Sequence, residues 1–201
     1  MELSSKYLKI WKRCRPLLKK GRLGDFEHAE EVIKVILNYK GKLKLDYEIL
    51  IPVAMMHDIG HSAILPEHFK YVTGPEKITN GKLVHMLTGA KIADDILKSV
   101  GYENKKRKEI VDMISVHDYD QLKTGEDLKK IYNTENKRIF HDIDSLDRYN
   151  EKRIKNIKKI YPNEKELLTV LKNMLKLFFY KEFKEIAKEW IDKKYSSENG
   201  N

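Results

Sequence analysis

Residues 49–62 read ILIPVAMMHDIGHS, and the fold is decided there. The run from Ile49 to Met56 is the longest apolar one in the chain, eight residues against the ~20 that a membrane span needs. At helical period, His57 follows Leu50, Val53 and Ala54 on one face, so a metal-ligating side chain type turns towards the apolar side of its own helix. Pro52 is awkward inside that helix, because an interior proline removes a backbone donor and kinks the chain. The helix is expected over 47–59, or from nearer 51 if the proline sets its start.

Working outward, the same phase recurs. His28 shares a face with Val32, Val35 and Ile36; His85 aligns with Gly89, Ile92 and Ile96; His117 aligns with Ile110, Met113 and Ile114; Asp144 aligns with Phe140 and Asp147. Further helices are expected over 4–20, 25–40, 82–99, 104–117, 135–159 and 163–194. Asp25 and Asp46 read as helix caps, Asn80-Gly81 as a turn ahead of Lys82, Gly41 and Gly101 as stops, and Tyr161-Pro162-Asn163 as a break. No segment alternates as a strand does. The expected class is all-α, a single-domain helical bundle: a basic amphipathic helix over 1–24 packed on the domain, a core over 25–149, C-terminal helices over 150–195 and a disordered tail over 196–201.

One histidine on an apolar face is ordinarily a satisfied core residue. Five helices that each turn a histidine or carboxylate inward are harder to explain that way, since each buried polar group without a partner costs about 1–3 kcal/mol. Histidines and carboxylates converging in one bundle satisfy each other by holding a metal. Imidazole with carboxylate suits a divalent transition metal (Mn, Fe, Ni, Co or Zn) better than Mg or Ca, and Cys14, the lone cysteine, leaves no cysteine-based zinc site.

The 201 residues carry 40 Lys and Arg against 31 Asp and Glu, a formal charge of +9. That excess raises nucleic acid as a partner, but it is unevenly spread. Residues 1–24 hold eight basic and one acidic side chain (+7), residues 150–201 thirteen and eight (+5), and residues 25–149 nineteen and twenty-two (−3). The basic side chains at both ends interleave with apolar ones at helical spacing, as on the solvated faces of packed helices, and the 163–194 region also offers a dimer interface. One cysteine fits a reducing compartment, and the absence of a membrane span or signal-type apolar stretch points to the cytoplasm.

His28 in GDFEHAEEVIKVI, the pair His57-Asp58 in AMMHDIGHS and Asp144 in DIDSLD resemble the H…HD…D signature of the HD-domain metal-dependent phosphohydrolases. HMLTGAKIADDIL, which begins at His85, is similar to stretches of that superfamily. The successive gaps are 29, 27, 32 and 27 residues, from His28 through His57-Asp58, His85 and His117 to Asp144. The resemblance spans about residues 25–149 and implies that His28, His57, Asp58 and Asp144 hold a first ion. It also implies that His85 and His117 fall where binuclear members hold a second, with Asp58 shared; mononuclear members use those positions for substrate or acid–base work. Two departures stand out. Ser145 occupies a position where many members carry Arg, for which Arg148 is a substitute or a surface residue. His61 stands where cyclic-dinucleotide phosphodiesterases and CRISPR-associated nucleases of the family usually carry Lys.

The resemblance implies hydrolysis of a phosphoester by metal-activated water, on a nucleotide or related small phosphate compound. An HD-type nuclease, a cyclic-nucleotide phosphodiesterase and a non-catalytic metal-binding regulatory module are the alternatives. His61, one turn after His57, is a candidate general acid beside Asp58, or else a cap of its helix. Lys91 and Arg148 are candidate phosphate-binding residues, with a solvated-face reading beside each. Asp142 and Asp147 read as capping or surface charges, His68 as a surface residue and His141 as a loosely packed one. Ile64–Thr79, with Phe69 and Tyr71, reads as a lid over the site or a plain connection.

Overall fold

The computed structural model describes residues 3–65, 74–122 and 124–196. Every regular element among them is helical, so the class is all-α. The chain divides into two compact units, Met1–Lys137 and Arg138–Asn201.

The first unit contains α1 (Ser5–Lys20), α2 (Asp25–Asn38), α3 (Tyr47–Met56), a 3-10 turn over Ile59–Ala63, α4 (Gly74–Ser99), α5 (Asn104–Ile114), a 3-10 turn over Tyr119–Leu122, and α6 (Leu128–Ile131). Residues Ile49 to Met56 of α3 are all buried, as expected of a helix apolar on every side. Helices α1, α2 and α5 pack on α3, while α4 packs on α5 and on the 59–63 turn. Ile10, Cys14 and Leu18 of α1 face inward, and Lys9, Lys12, Arg13, Arg15, Lys19 and Lys20 are exposed. The Asp46 carboxylate caps α3 by accepting from the Glu48 amide at 3.0 Å.

The helix of α3 runs through Pro52 from residue 47 and does not start near 51. Its missing donor is replaced from elsewhere. The Glu48 carbonyl, which an amide at position 52 would reach, accepts the Tyr102 hydroxyl at 2.5 Å. Gly101, at φ +67°, is left-handed and turns the chain so that the Tyr102 amide meets the Leu97 carbonyl at 2.9 Å.

Other expected boundaries move. Asn80-Gly81 is not a turn: α4 passes through both, and the packing of its inner face on the 59–63 turn outweighs their weak helix propensity. Asp25 opens α2 without capping it, since its carboxylate turns back to Arg22, and α2 ends at Asn38 ahead of Gly41. Helix α5 stops at Ile114, which leaves His117 in the turn beyond it. Ile64 and Leu65 are the last described residues of the expected lid before its core. Residues 66–73, with His68, Phe69 and Tyr71, lie outside the described residues.

The second unit holds most of α7 (Glu135–Leu146), a 3-10 turn over Asp147–Tyr149, α8 (Glu151–Ile160), α9 (Glu164–Met174), a 3-10 turn over Leu175–Leu177, and α10 (Lys181–Ser196). Two long expected helices are therefore broken. The Asn150 side chain caps a new helix at the Arg153 amide (2.8 Å), which splits 135–159. The buried Asp142 carboxylate accepts the Phe179 and Tyr180 amides at 3.0 and 2.7 Å, which splits 163–194 and starts α10. Asp147 pairs with Arg153 at 2.7 Å, so Asp142 and Asp147 are both structural. His141 is not loosely packed; it is buried, with Nδ1 3.1 Å from Asp142 Oδ1.

Candidate metal centre

Helix α3 carries the two central residues to the middle of the first unit. His57 ends the helix, and Asp58 follows at φ −96°, ψ 0°, a sparsely populated backbone region in which active-site residues recur. Both are buried. The chain can close the next turn against α4 only because residue 60 has no side chain. A methyl on Gly60 would overlap the His85 carbonyl and lie 2.7 Å from the Gly89 amide nitrogen. That close approach presents His85 to Asp58.

The Asp58 carboxylate gathers five imidazoles, divided between its two oxygens. On Oδ2 stand His57 Nε2 at 3.5 Å and His28 Nε2 at 4.0 Å. On Oδ1 stand His61 Nε2 at 3.6 Å, His117 Nε2 at 3.7 Å and His85 Nε2 at 3.8 Å. Asp118 adds a carboxylate oxygen 3.7 Å from His85 Nε2. Three donor groups result: His28, His57 and Asp58; Asp58, His61 and His85; His85, His117 and Asp118. Within each, the donor atoms lie within 4.8 Å of one another.

The tautomers fit a cation. His57 Nδ1 lies 3.1 Å from the Ala54 carbonyl, His117 Nδ1 2.8 Å from the Ile114 carbonyl, and His85 Nδ1 3.3 Å from the Gly81 carbonyl. A carbonyl only accepts, so each Nδ1 carries a proton and each Nε2 faces the centre, where the neutral ring has a lone pair for a cation. His85 and His117 face each other with their Nε2 atoms 3.3 Å apart, a spacing at which both can donate to one cation. Donors about 2.0–2.1 Å from one tetrahedral ion stand roughly 3.4 Å apart, close to the spacings observed. The residues present therefore fit a divalent ion.

Electrostatics agree. Burial pushes His85 down to about 3 and His61 down to about 4, which keeps both rings neutral at pH 7. Asp58 is held well below the usual carboxylate range by His57, His117, His28 and Arg22, against the opposing effect of its burial. The His61 ring stacks on His85 (centroids 4.1 Å apart, 10° between planes), and among the described residues its buried Nε2 has no hydrogen-bond partner.

The geometry thus brings together His28, His57, Asp58, His61, His85 and His117. Asp144 and Arg148 stand in the second unit, half-buried on α7 and on the turn after it. Lys91 faces solvent on α4, pairs with Asp95 at 3.9 Å, and takes no part in the contacts around Asp58. Residues not singled out as site residues also join the cluster. Asp118 is buried and contacts Lys82 at 3.2 Å; its only sequence signal was the repeated His-Asp dipeptide at 117–118. Arg22 Nη2 reaches Asp58 Oδ2 at 3.3 Å, and the wholly buried Asp25 holds Arg22.

The HD domain is the family whose model matches this chain, over residues 25–149, more than half its length. The chain belongs to the HD-domain family. Comparison with curated proteins returns no match, and neither does comparison with solved structures. The HD match ends at Tyr149, the last residue of the 3-10 turn after α7, so the ordered set from His28 to Asp144 lies inside it.

Proposed function

We propose that this HD domain is a metal-dependent phosphohydrolase acting on a small phosphorylated compound, with a nucleotide as the favoured class. The observation that carries this reading is the single buried carboxylate of Asp58 with histidine Nε2 atoms divided between its two oxygens. That division supports two ions sharing Asp58. His28 and His57 would hold the first, with Asp144 added from the ordered family signature. His85 and His117 would hold the second, with Asp118 beside them.

When bound, such an ion lowers the pKa of water from 15.7 towards neutrality and draws charge from a phosphoryl oxygen. The chain's own residues do the rest. Asp58 and the neutral imidazoles fix the donor directions through their backbone-bonded Nδ1 atoms, and the buried setting limits competing water. In the reaction a water oxygen bonds to phosphorus as the ester P–O bond breaks, and a proton passes to the departing oxygen. His61 is the proposed proton-handling group, because its ring is fixed by stacking on His85 with Nε2 beside Asp58 Oδ1.

The test is metal analysis of the purified protein. It is followed by a screen of mono-, di- and triphosphates, cyclic dinucleotides and single-stranded DNA with Mn, Ni or Co. Asp58→Ala is expected to abolish any metal-dependent hydrolysis, and full activity in that variant would overturn the site. His61→Ala is expected to lower kcat at an unchanged metal count; a fall in the count would make His61 a ligand instead.

A further inference from the structure

The segment Gly21–Asp25, GRLGD, is built to hold one guanidinium at the edge of the Asp58 cluster. Asp25 receives Arg22 twice, from the backbone amide to Oδ2 at 2.8 Å and from Nε to Oδ1 at 2.9 Å. Its side chain is fully buried, whereas that of Arg22 is 48% exposed. The turn requires glycine at 24 and packs closely around Gly21. Gly24 has φ +97°, and a methyl on Gly21 would stand 3.0 Å from Asp25 Oδ2 and 3.2 Å from the His61 Cβ. The Asp25 amide closes the turn on the Arg22 carbonyl at 3.1 Å. The guanidinium is thereby fixed at Nε and extends Nη2 to 3.3 Å from Asp58 Oδ2, the oxygen that His28 and His57 also face.

Arginine has five N–H donors in a planar fork that matches phosphate, and among the described residues only Nε and one N–H of Nη2 are engaged. The side chain is half-exposed, which leaves the fork open to a ligand. A cation needed only to neutralise Asp58 would require neither a buried carboxylate to orient it nor a left-handed glycine to shape its turn. The other cation of the cluster, Lys82, is already committed to Asp118 and Gln121.

Building on the hydrolase reading above, we propose that Arg22 binds a phosphoryl oxygen of the substrate beside the His28–His57 half of the centre, and that Asp25 is its positioning residue. A phosphoryl group approaching the donors on Asp58 Oδ2 comes within hydrogen-bond reach of the free Nη donors. The arrangement selects ligands that end in a phosphoryl dianion, which can accept from two donors of the fork at once.

The experiment is calorimetric titration of inorganic phosphate into the Mn-loaded full chain. It compares the parent with Arg22→Gln, Arg22→Lys and Asp25→Asn, and records metal content and melting temperature for each. Arg22→Gln is expected to weaken phosphate at least tenfold with the metal count unchanged, and Arg22→Lys to recover part of the loss. Asp25→Asn is expected to weaken phosphate several-fold and to raise KM more than it lowers kcat for any phosphoester found in the screen. Should Asp25→Asn fail to fold, the two substitutions at the half-exposed Arg22 decide alone. Phosphate affinity in Arg22→Gln within twofold of the parent overturns the proposal, as does a Mn-loaded parent that binds no phosphate. The two readings fail separately. Hydrolysis with no dependence on Arg22 removes the arginine site and leaves the hydrolase, whereas Arg22-dependent phosphate binding without turnover on any substrate removes the hydrolase and leaves the anion site.

Discussion

Gly60→Ala tests whether the approach of α4 to the His-Asp turn builds the centre. The new methyl would overlap the His85 carbonyl oxygen and sit 2.7 Å from both the Gly89 nitrogen and the His85 carbonyl carbon, where ordinary contact begins at 3.4 Å. All three atoms are backbone, so no side chain can rotate away. Helix α4 must retreat by about 0.7 Å even for the milder contacts, and further for the oxygen. Overpacking of this kind costs about 1–3 kcal/mol, and a rigid backbone partner places it at the upper end. For a chain of this size that is a fall of roughly 6–12 °C in melting temperature. Because His85 rides on α4, the same retreat pulls its Nε2 from Asp58 and His117, and misplacement approaching 1 Å costs on the order of a hundredfold where geometry matters. Differential scanning calorimetry and titration with Mn therefore read two consequences of one displacement. Gly89→Ala is the control: its nearest contact is 3.2 Å and the next two are 3.5 Å, and alanine gains about 1 kcal/mol of helix propensity, so its stability stays within about 1 kcal/mol of the parent. A Gly60→Ala protein that melts within 2 °C of the parent and binds Mn equally would refute the reasoning.

Three other outcomes are expected. Divalent metal raises the melting temperature, by about 2.7 kcal/mol of stability at a hundred times Kd, and chelation reverses it; a melting point indifferent to Mn, Ni, Co and Zn would count against the centre. In the metal-free protein, His61 (about 4) and His85 (about 3) lie below their unfolded value of 6.5, so the unfolded chain binds more protons and stability falls as pH drops below 6.5. At pH 5 each costs roughly 2 kcal/mol, and Asp25, pushed up to about 6 by burial and by Asp58, offsets part of this, so denaturant midpoints should be clearly lower at pH 5 than at pH 7. Tyr102→Phe leaves the Glu48 carbonyl beside Pro52 without its hydroxyl donor and is expected to lose about 1 kcal/mol in urea unfolding, with an unchanged Mn affinity.

The parts of this molecule that were legible in its sequence share a property: they are set within one helix. Each histidine's phase against its own apolar residues depends on neighbours three and four positions away, and that was enough to turn His28, His57 and His85 inward, while His117 lies in the turn past the end of α5 and the shared Asp58 was implied by the family resemblance. The boundaries went wrong where a distant group supplies or withdraws a backbone partner. The break ahead of α10 exists because Asp142, on another helix, takes the Phe179 and Tyr180 amides, and α3 survives Pro52 because Tyr102 fills the gap. No local pattern encodes either.

The same distinction explains which site residues stayed hidden. Asp25 has the position and chemistry of a helix cap, so its sequence context favoured the ordinary role; only the turn made by Gly21 and Gly24 reverses its carboxylate towards Arg22. Arg22 lies among the eight basic residues of the first 24, a stretch whose charge read as solvated surface. That reading holds for the exposed lysines of α1 and fails for the one cation past its end whose side chain turns inward to Asp58. Net charge averages over orientation, and a guanidinium at the end of a turn differs from one on a helix face only in the partner that holds it. The strongly basic start of the chain therefore contributes to the centre through a single residue, which is why Arg22→Gln should affect phosphate while neutralising Lys12 or Lys19 on the outer face of α1 should not.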